Sequence, residues 1–222
     1  MNRKLVVFDF DGTLVDFIHA FSIALAEFSH ARNLPHDLAK MSAGYIDPYK
    51  YDLGWGLPLD RQKPLHDALM DYILEETIAN KRFIPPLFDG AKSVLEELAQ
   101  SYDFAVVTAR DRPTLHAIMD YHQIKNHFQA IRTLCCTRER GYNLKPAPDA
   151  IYCLLKDTKH MLDDVIMVGD TTADIDMANA AGVKSIAVAW GLHPRERLAA
   201  SNPTIMLDSV NDLPAAISKL FN

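Results

Sequence analysis

Two aspartates one residue apart, Asp9 and Asp11, follow directly on an apolar run, Leu5-Val6-Val7-Phe8, and precede Gly12-Thr13. A carboxylate at the end of a buried strand can act as a nucleophile. Attack of its oxygen on phosphorus gives an acyl-phosphate and divides a hard hydrolysis into two easier displacements. A second carboxyl group beside it can protonate the departing oxygen and later take a proton from water. Asp-x-Asp by itself also suits a turn or a helix cap, so the partners elsewhere in the chain decide.

Three more segments place special residues after apolar runs. Thr108 follows Val106-Val107 and can offer a phosphate oxygen its hydroxyl and its backbone N–H. Arg110, two residues on, could help bind the anion, but it reads first as a surface arginine. In Lys145-Pro146-Ala147-Pro148-Asp149, Pro148 suits a first helical turn and Asp149 the positive end of that helix. Lys145 is thereby held just before a helix N-terminus, where one ammonium can neutralise both a phosphoryl group and an aspartate nucleophile. Asp170 and Asp174, in Val168-Gly169-Asp170-Thr171-Thr172-Ala173-Asp174, are hard oxygen ligands suited to Mg²⁺. Asp163, Asp164 and Asp176 read as solvated or capping residues.

These residues need a scaffold that brings strand ends together. Strands are predicted at 5–8, 104–107, 130–134, 165–168 and 185–189, with helices at 90–100, 113–122, 148–156, 174–181 and 213–220. Short apolar strands alternating with helices predict an α/β fold with a doubly covered, Rossmann-like parallel sheet, whose carboxyl edge binds ligands. Residues 17–84 break the pattern, with helices at 18–31 and 64–79, a Gly-, Tyr- and Pro-rich loop at 44–58 and no strand. Pro85-Pro86 marks the return, and Asp89 is expected to cap the next helix. The expected organisation is a core of residues 1–16 and 85–222 with a helical insertion at 17–84.

Composition limits the function classes. With 222 residues, 49% apolar and 23% charged, the chain reads as an ordinary globular protein. A net charge of −6 gives no general attraction to nucleic acid or an anionic membrane. No stretch reaches the roughly 18 apolar residues needed to span a bilayer, and the first apolar run is too short for a signal peptide. Cys135, Cys136 and Cys153 lack metal-ligand spacing and read as reduced thiols, so a cytoplasmic location is expected.

Taken in order, DFDGT, the threonine after the second strand, KPAPD and GDTTAD resemble the haloacid dehalogenase superfamily, and the resemblance covers essentially the whole chain. It implies Asp9 as nucleophile and Asp11 as acid/base. Thr108, Ala109 and Lys145 would then bind the phosphate, with Thr108 and Lys145 stabilising the intermediate. It also implies Mg²⁺ held by Asp9, the Asp11 carbonyl and Asp170, with Asp174 in support. The insertion resembles that superfamily's helical cap. DFDGTLVD, KPAPD and GDTTADIDMANAAG are most similar to phosphoglycolate phosphatase-like hydrolases, although Phe17 stands where serine is common and Thr108-Ala109-Arg110 where Thr-Asn-Lys is frequent.

The resemblance thus implies a small phosphorylated metabolite as substrate, 2-phosphoglycolate in the first instance, handled by a monomer or homodimer. Asp11 argues against a dehalogenase, because halide departure needs no proton. A phosphonatase would use a cap lysine, for which Lys40, Lys50, Lys63 and Lys81 are available. Nucleotides, sugar phosphates and pyrophosphate are alternative substrates, and a β-phosphoglucomutase-like mutase shares the motifs. An inactive binding protein of the same fold would be marked by loss of Asp9, Asp11, Lys145 or Asp170, and all four are present. Leaving-group contacts in the insertion would come from His19, Tyr45, Lys50, Trp55 or Arg61, and His193 follows the last predicted core strand.

Overall fold

The computed structural model describes residues 3–37, 53–133, 139 and 141–222. It forms two compact units, one of Met1–Asp16 with Leu87–Asn222 and one of Phe17–Pro86.

The larger unit is built on a six-stranded parallel sheet of β1 (Lys4–Phe8), β2 (Tyr102–Val107), β3 (Phe128–Arg132), β4 (Val165–Gly169), β5 (Lys184–Val188) and β6 (Ile205–Leu207). Their order is β3-β2-β1-β4-β5-β6, which reverses direction next to β1 and puts a crevice at that strand's carboxyl end. Leu5, Val6, Val7 and Phe8 are all fully buried, the result of helices covering both faces, so the run is continuously apolar rather than alternating. Phe8 pairs with Val106 on one side and Val168 on the other, so β1, β2 and β4 end level.

Helices of this unit begin and stop for local reasons. In α4 (Arg112–Tyr121), Asp111 accepts the Thr114 N–H at 2.9 Å and Pro113 sits in the first turn. In α6 (Thr172–Ala181), Gly182 ends the helix with φ 76°, its N–H bonded to the Ala178 and Asn179 carbonyls. Asp149 opens α5 (Asp149–Thr158) and accepts the Asn143 N–H at 2.7 Å. The expectation for Asp89 is not met. Gly90 is the N-cap of α3 (Ala91–Leu98), with φ 80°, and a Cβ there would meet Asn211 Oδ1 at 2.6 Å. The chain closes with α8 (Leu213–Phe221), as expected. Among the short elements that escape sequence reading are α7 (Arg195–Ala200) and edge strand β6, whose three residues are only half-buried.

The second unit packs α1 (Phe17–Ala31) and α2 (Leu59–Asn80). Phe21, Leu25 and Phe28 pack with Leu53, Trp55, Leu69 and Ile73 in one buried cluster. Gln62 is buried, accepts the Leu53 N–H at 3.0 Å and donates to the Leu57 carbonyl at 2.7 Å, tying the intervening loop to α2. Among the described residues, no helix is long and apolar enough to cross a membrane.

Candidate active site

Asp9 continues the sheet beyond β1, its N–H bonded to the Val168 carbonyl at 2.8 Å, and is buried. Lys145, from the segment before α5, brings its ammonium to 2.6 Å from Asp9 Oδ1 and 2.6 Å from Asp174 Oδ1. Only 13% of the Lys145 side chain is exposed. Asp174 in turn accepts the Thr171 N–H at 3.0 Å and the Thr171 hydroxyl at 2.6 Å, which fixes its carboxylate at the start of α6. Asp170 is held on both oxygens, by the Thr13 hydroxyl at 2.9 Å and the Leu192 N–H at 2.7 Å.

Three glycines let these carboxylates crowd together. A Cβ on Gly12 would lie 2.0 Å from Asp170 Oδ2, one on Gly169 2.4 Å from Asp174 Cβ, and one on Gly191 2.3 Å from Asp170 Cβ. None of the three positions has room for any side chain.

The result is an electrostatic imbalance. Asp9, Asp170 and Asp174 each place an oxygen within 4.8 Å of the others, and all three are buried. Burial pushes Asp9 well above the usual carboxylate range. Lys145 opposes that shift, and the Asp174 and Asp170 charges add to it. Asp170 is pushed up to about 7, by burial first and then by Asp174. Burial works against the Lys145 charge, yet Asp174 and Asp9 prevail and raise its pKa. One ammonium among three buried carboxylates leaves an excess of negative charge that a divalent cation would balance. Oxygen-only donors of this kind fit a hard ion such as Mg²⁺.

Asp11 lies apart from this cluster of carboxylates. Its carboxylate is held by Arg110, which donates Nε to both oxygens, at 3.1 and 2.8 Å, and Nη2 to Oδ1 at 2.6 Å. The surface reading of Arg110 is therefore corrected, since only 11% of its side chain is exposed. The sequence signal for it is its place two residues past Thr108, in the bend that follows the strand paired with β1.

For Thr108 the backbone half of the expectation is corrected. Its N–H is taken by the Arg132 carbonyl at 2.9 Å, continuing the β2–β3 ladder, so it is not available to an anion. Its hydroxyl accepts the Arg110 N–H at 3.1 Å, which leaves the hydroxyl proton to donate. Ala109 follows, exposed beyond the strand.

His193 is buried, with Nδ1 accepting the Thr172 N–H at 2.9 Å and its own N–H reaching the Asp170 carbonyl at 3.3 Å. It braces the loop that binds Asp170. Asp163 and Asp176 are exposed, and Asp164 pairs with Lys4.

In the helical unit, Trp55 is a core residue rather than a ligand contact. It is buried, with its indole N–H on Ser29 Oγ at 2.8 Å. His19 lines a shallow groove of about 380 Å³ with Ile23, Glu27, Arg82 and Phe83. Arg61 is exposed on α2. Lys63 is exposed and pairs with Asp67 at 2.8 Å, while Lys81 is exposed and ends α2. Tyr45, Lys40, Lys50, Cys135 and Cys136 lie outside the described residues; Cys153 is buried, its sulfur accepting the Arg132 Nε–H at 3.3 Å.

A Rossmann-like sheet whose carboxyl edge gathers three aspartates around one lysine defines a class: an α/β enzyme that handles an anion with carboxylates and cations. The chain belongs to the haloacid dehalogenase-like hydrolases, which it matches over residues 6–188. It is 26% identical over 219 residues to the phosphoglycolate phosphatase of Vibrio parahaemolyticus, covering 95% of this chain and 94% of that protein. It is also 26% identical over 223 residues to pyrophosphatase PpaX of Bacillus cereus, covering 99% of each. Its fold matches the crystal structure of a predicted phosphoglycolate phosphatase from Haemophilus somnus, with a TM-score of 0.80, 24% identity and coverage of 98% of this chain and 99% of that one. Other relatives are also named phosphatases, and some are named tyrosine-protein kinase PtkA of Mycobacterium, of whose length the chain covers 62%.

Proposed function

We propose that the chain is a Mg²⁺-dependent phosphatase that hydrolyses a small phosphomonoester through an aspartyl-phosphate on Asp9, with 2-phosphoglycolate the preferred substrate. The observation that carries this reading is Lys145, whose ammonium joins Asp9 to Asp174 at 2.6 Å each. A lysine so placed favours the ionised form of Asp9 against its burial and orients it, and it offers positive charge to the phosphoryl oxygens as Asp9 attacks. Thr108 donates its hydroxyl proton to another of those oxygens. Asp11 protonates the leaving oxygen and then takes a proton from the water that hydrolyses the acyl-phosphate.

Asp9 and Asp170 would hold Mg²⁺ together with the Asp11 carbonyl, supported by Asp174. The ion would supply charge neutralisation on the phosphoryl group. The helical unit would act as the cap that selects the substrate. The name of the Vibrio parahaemolyticus relative supports phosphoglycolate, and that of the Bacillus cereus relative supports pyrophosphate as the second reading.

A panel of 2-phosphoglycolate, nucleotides, sugar phosphates and pyrophosphate, run with and without Mg²⁺, tests the proposal. The highest kcat/KM is expected for 2-phosphoglycolate, with turnover lost on chelation. Preference for pyrophosphate or a nucleotide would overturn the substrate, and metal-independent turnover would overturn the cofactor.

A further inference from the structure

Arg110 makes three hydrogen bonds to one carboxylate, that of Asp11, and the pair is largely shielded, with 11% and 24% of the two side chains exposed. A guanidinium fork sets the plane of a carboxylate as well as its charge, which a lysine ammonium cannot do. Arg110 is itself held, because its backbone N–H donates to Thr108 Oγ1 at 3.1 Å. The end of β2 thus fixes the arginine and the arginine fixes Asp11. Asp11 Oδ1 takes two of the bonds and Oδ2 only one, from Nε at 2.8 Å. Each oxygen of an ionised carboxylate has two acceptor sites, so Oδ2 keeps one for a proton in transit.

We infer that Arg110 is the positioning residue for proton transfer by Asp11, a clamp that aims Oδ2 at the leaving-group oxygen. The inference rests on the proposed role of Asp11. In the first half-reaction the bond from phosphorus to the leaving oxygen breaks as the bond to Asp9 forms, and the proton passes from Asp11 to that oxygen. In the second, water adds to phosphorus, the Asp9–phosphorus bond breaks, and Asp11 regains a proton from the water.

The test is leaving-group dependence. The p-nitrophenolate ion departs without a proton, whereas an alkoxide needs one. In R110M, kcat/KM for the best alkyl phosphate of the panel should fall roughly 10–100-fold more than kcat/KM for p-nitrophenyl phosphate. That is part of the factor of about 10²–10⁴ contributed by a well-placed acid–base group. The ratio is taken on one preparation, so it does not depend on how much of the variant is folded. R110K keeps the charge and loses the fork, and it should show the same selective loss.

Equal losses on the two substrates would overturn the inference, and so would an R110K ratio equal to wild type. D11N measured alongside separates the two levels. If D11N lowers the ratio and R110M does not, the clamp is wrong and Asp11 stands. If neither lowers it, the role of Asp11 falls.

Discussion

Replacing Lys145 with methionine keeps most of the side-chain volume and removes the ammonium that joins Asp9 to Asp174 beside Asp170. Two carboxylates that each held the ammonium at 2.6 Å are left buried without it. Removing one partner of a buried ion pair costs about 3–5 kcal/mol. For a chain of this size that is a fall in Tm of roughly 6–20 °C.

The sign of the pH dependence follows from linkage. The folded-state pKa of Lys145 is raised, so its contribution is fully present below the ordinary lysine value of 10.5 and fades only as pH rises through the higher folded value. In K145M the stranded carboxylates can take up a proton at low pH and recover part of the loss. The difference from wild type should therefore be smaller at pH 5 than at pH 8. Urea unfolding of both proteins in EDTA at the two pH values reads it directly. A difference under about 1 kcal/mol at pH 8, or one independent of pH, would refute the reasoning that Lys145 offsets a buried excess of negative charge.

Two further outcomes follow from the same site. Because the Asp170 carboxyl is pushed up to about 7 in the folded state from 3.8, the wild-type protein in chelator should lose stability as pH rises through that window. Saturating Mg²⁺ should restore it in thermal unfolding, and a profile equally flat with and without the ion would contradict the charge accounting. In G169A the new methyl group would overlap the Asp174 Cβ at 2.4 Å. A loss of about 1–3 kcal/mol and a matching loss of activity are expected, and wild-type stability would show that α6 can shift away freely.

Much of this architecture is legible in the sequence because several key residues lie just past an apolar run. Asp9, Thr108 and Asp170 are read from β1, β2 and β4 alone, and Lys145 from the prolines around it. What escapes depends on contacts between segments. Arg110 reads as a surface residue until the pairing of Phe8 with Val106 sets β1 beside β2 and brings the arginine to Asp11. The Thr108 amide reads as available until β3 claims it through the Arg132 carbonyl. Gly169 and Gly191 carry no local sign of the carboxylates packed onto them. In the helical unit the amphipathic pattern is plain, but it cannot say that Trp55 turns inward to Ser29. Strand β6, at three residues, is too short for any period to register.

The central claim is that Asp9 carries the phosphoryl group during turnover. Acid-quenching the enzyme with an aryl phosphate and Mg²⁺, then reducing with borohydride, converts an aspartyl-phosphate to homoserine that peptide mass spectrometry can locate. The account predicts homoserine at position 9, absent from Asp9→Asn and from unreacted enzyme. Homoserine at another aspartate, or none in an enzyme that is turning over, would contradict it.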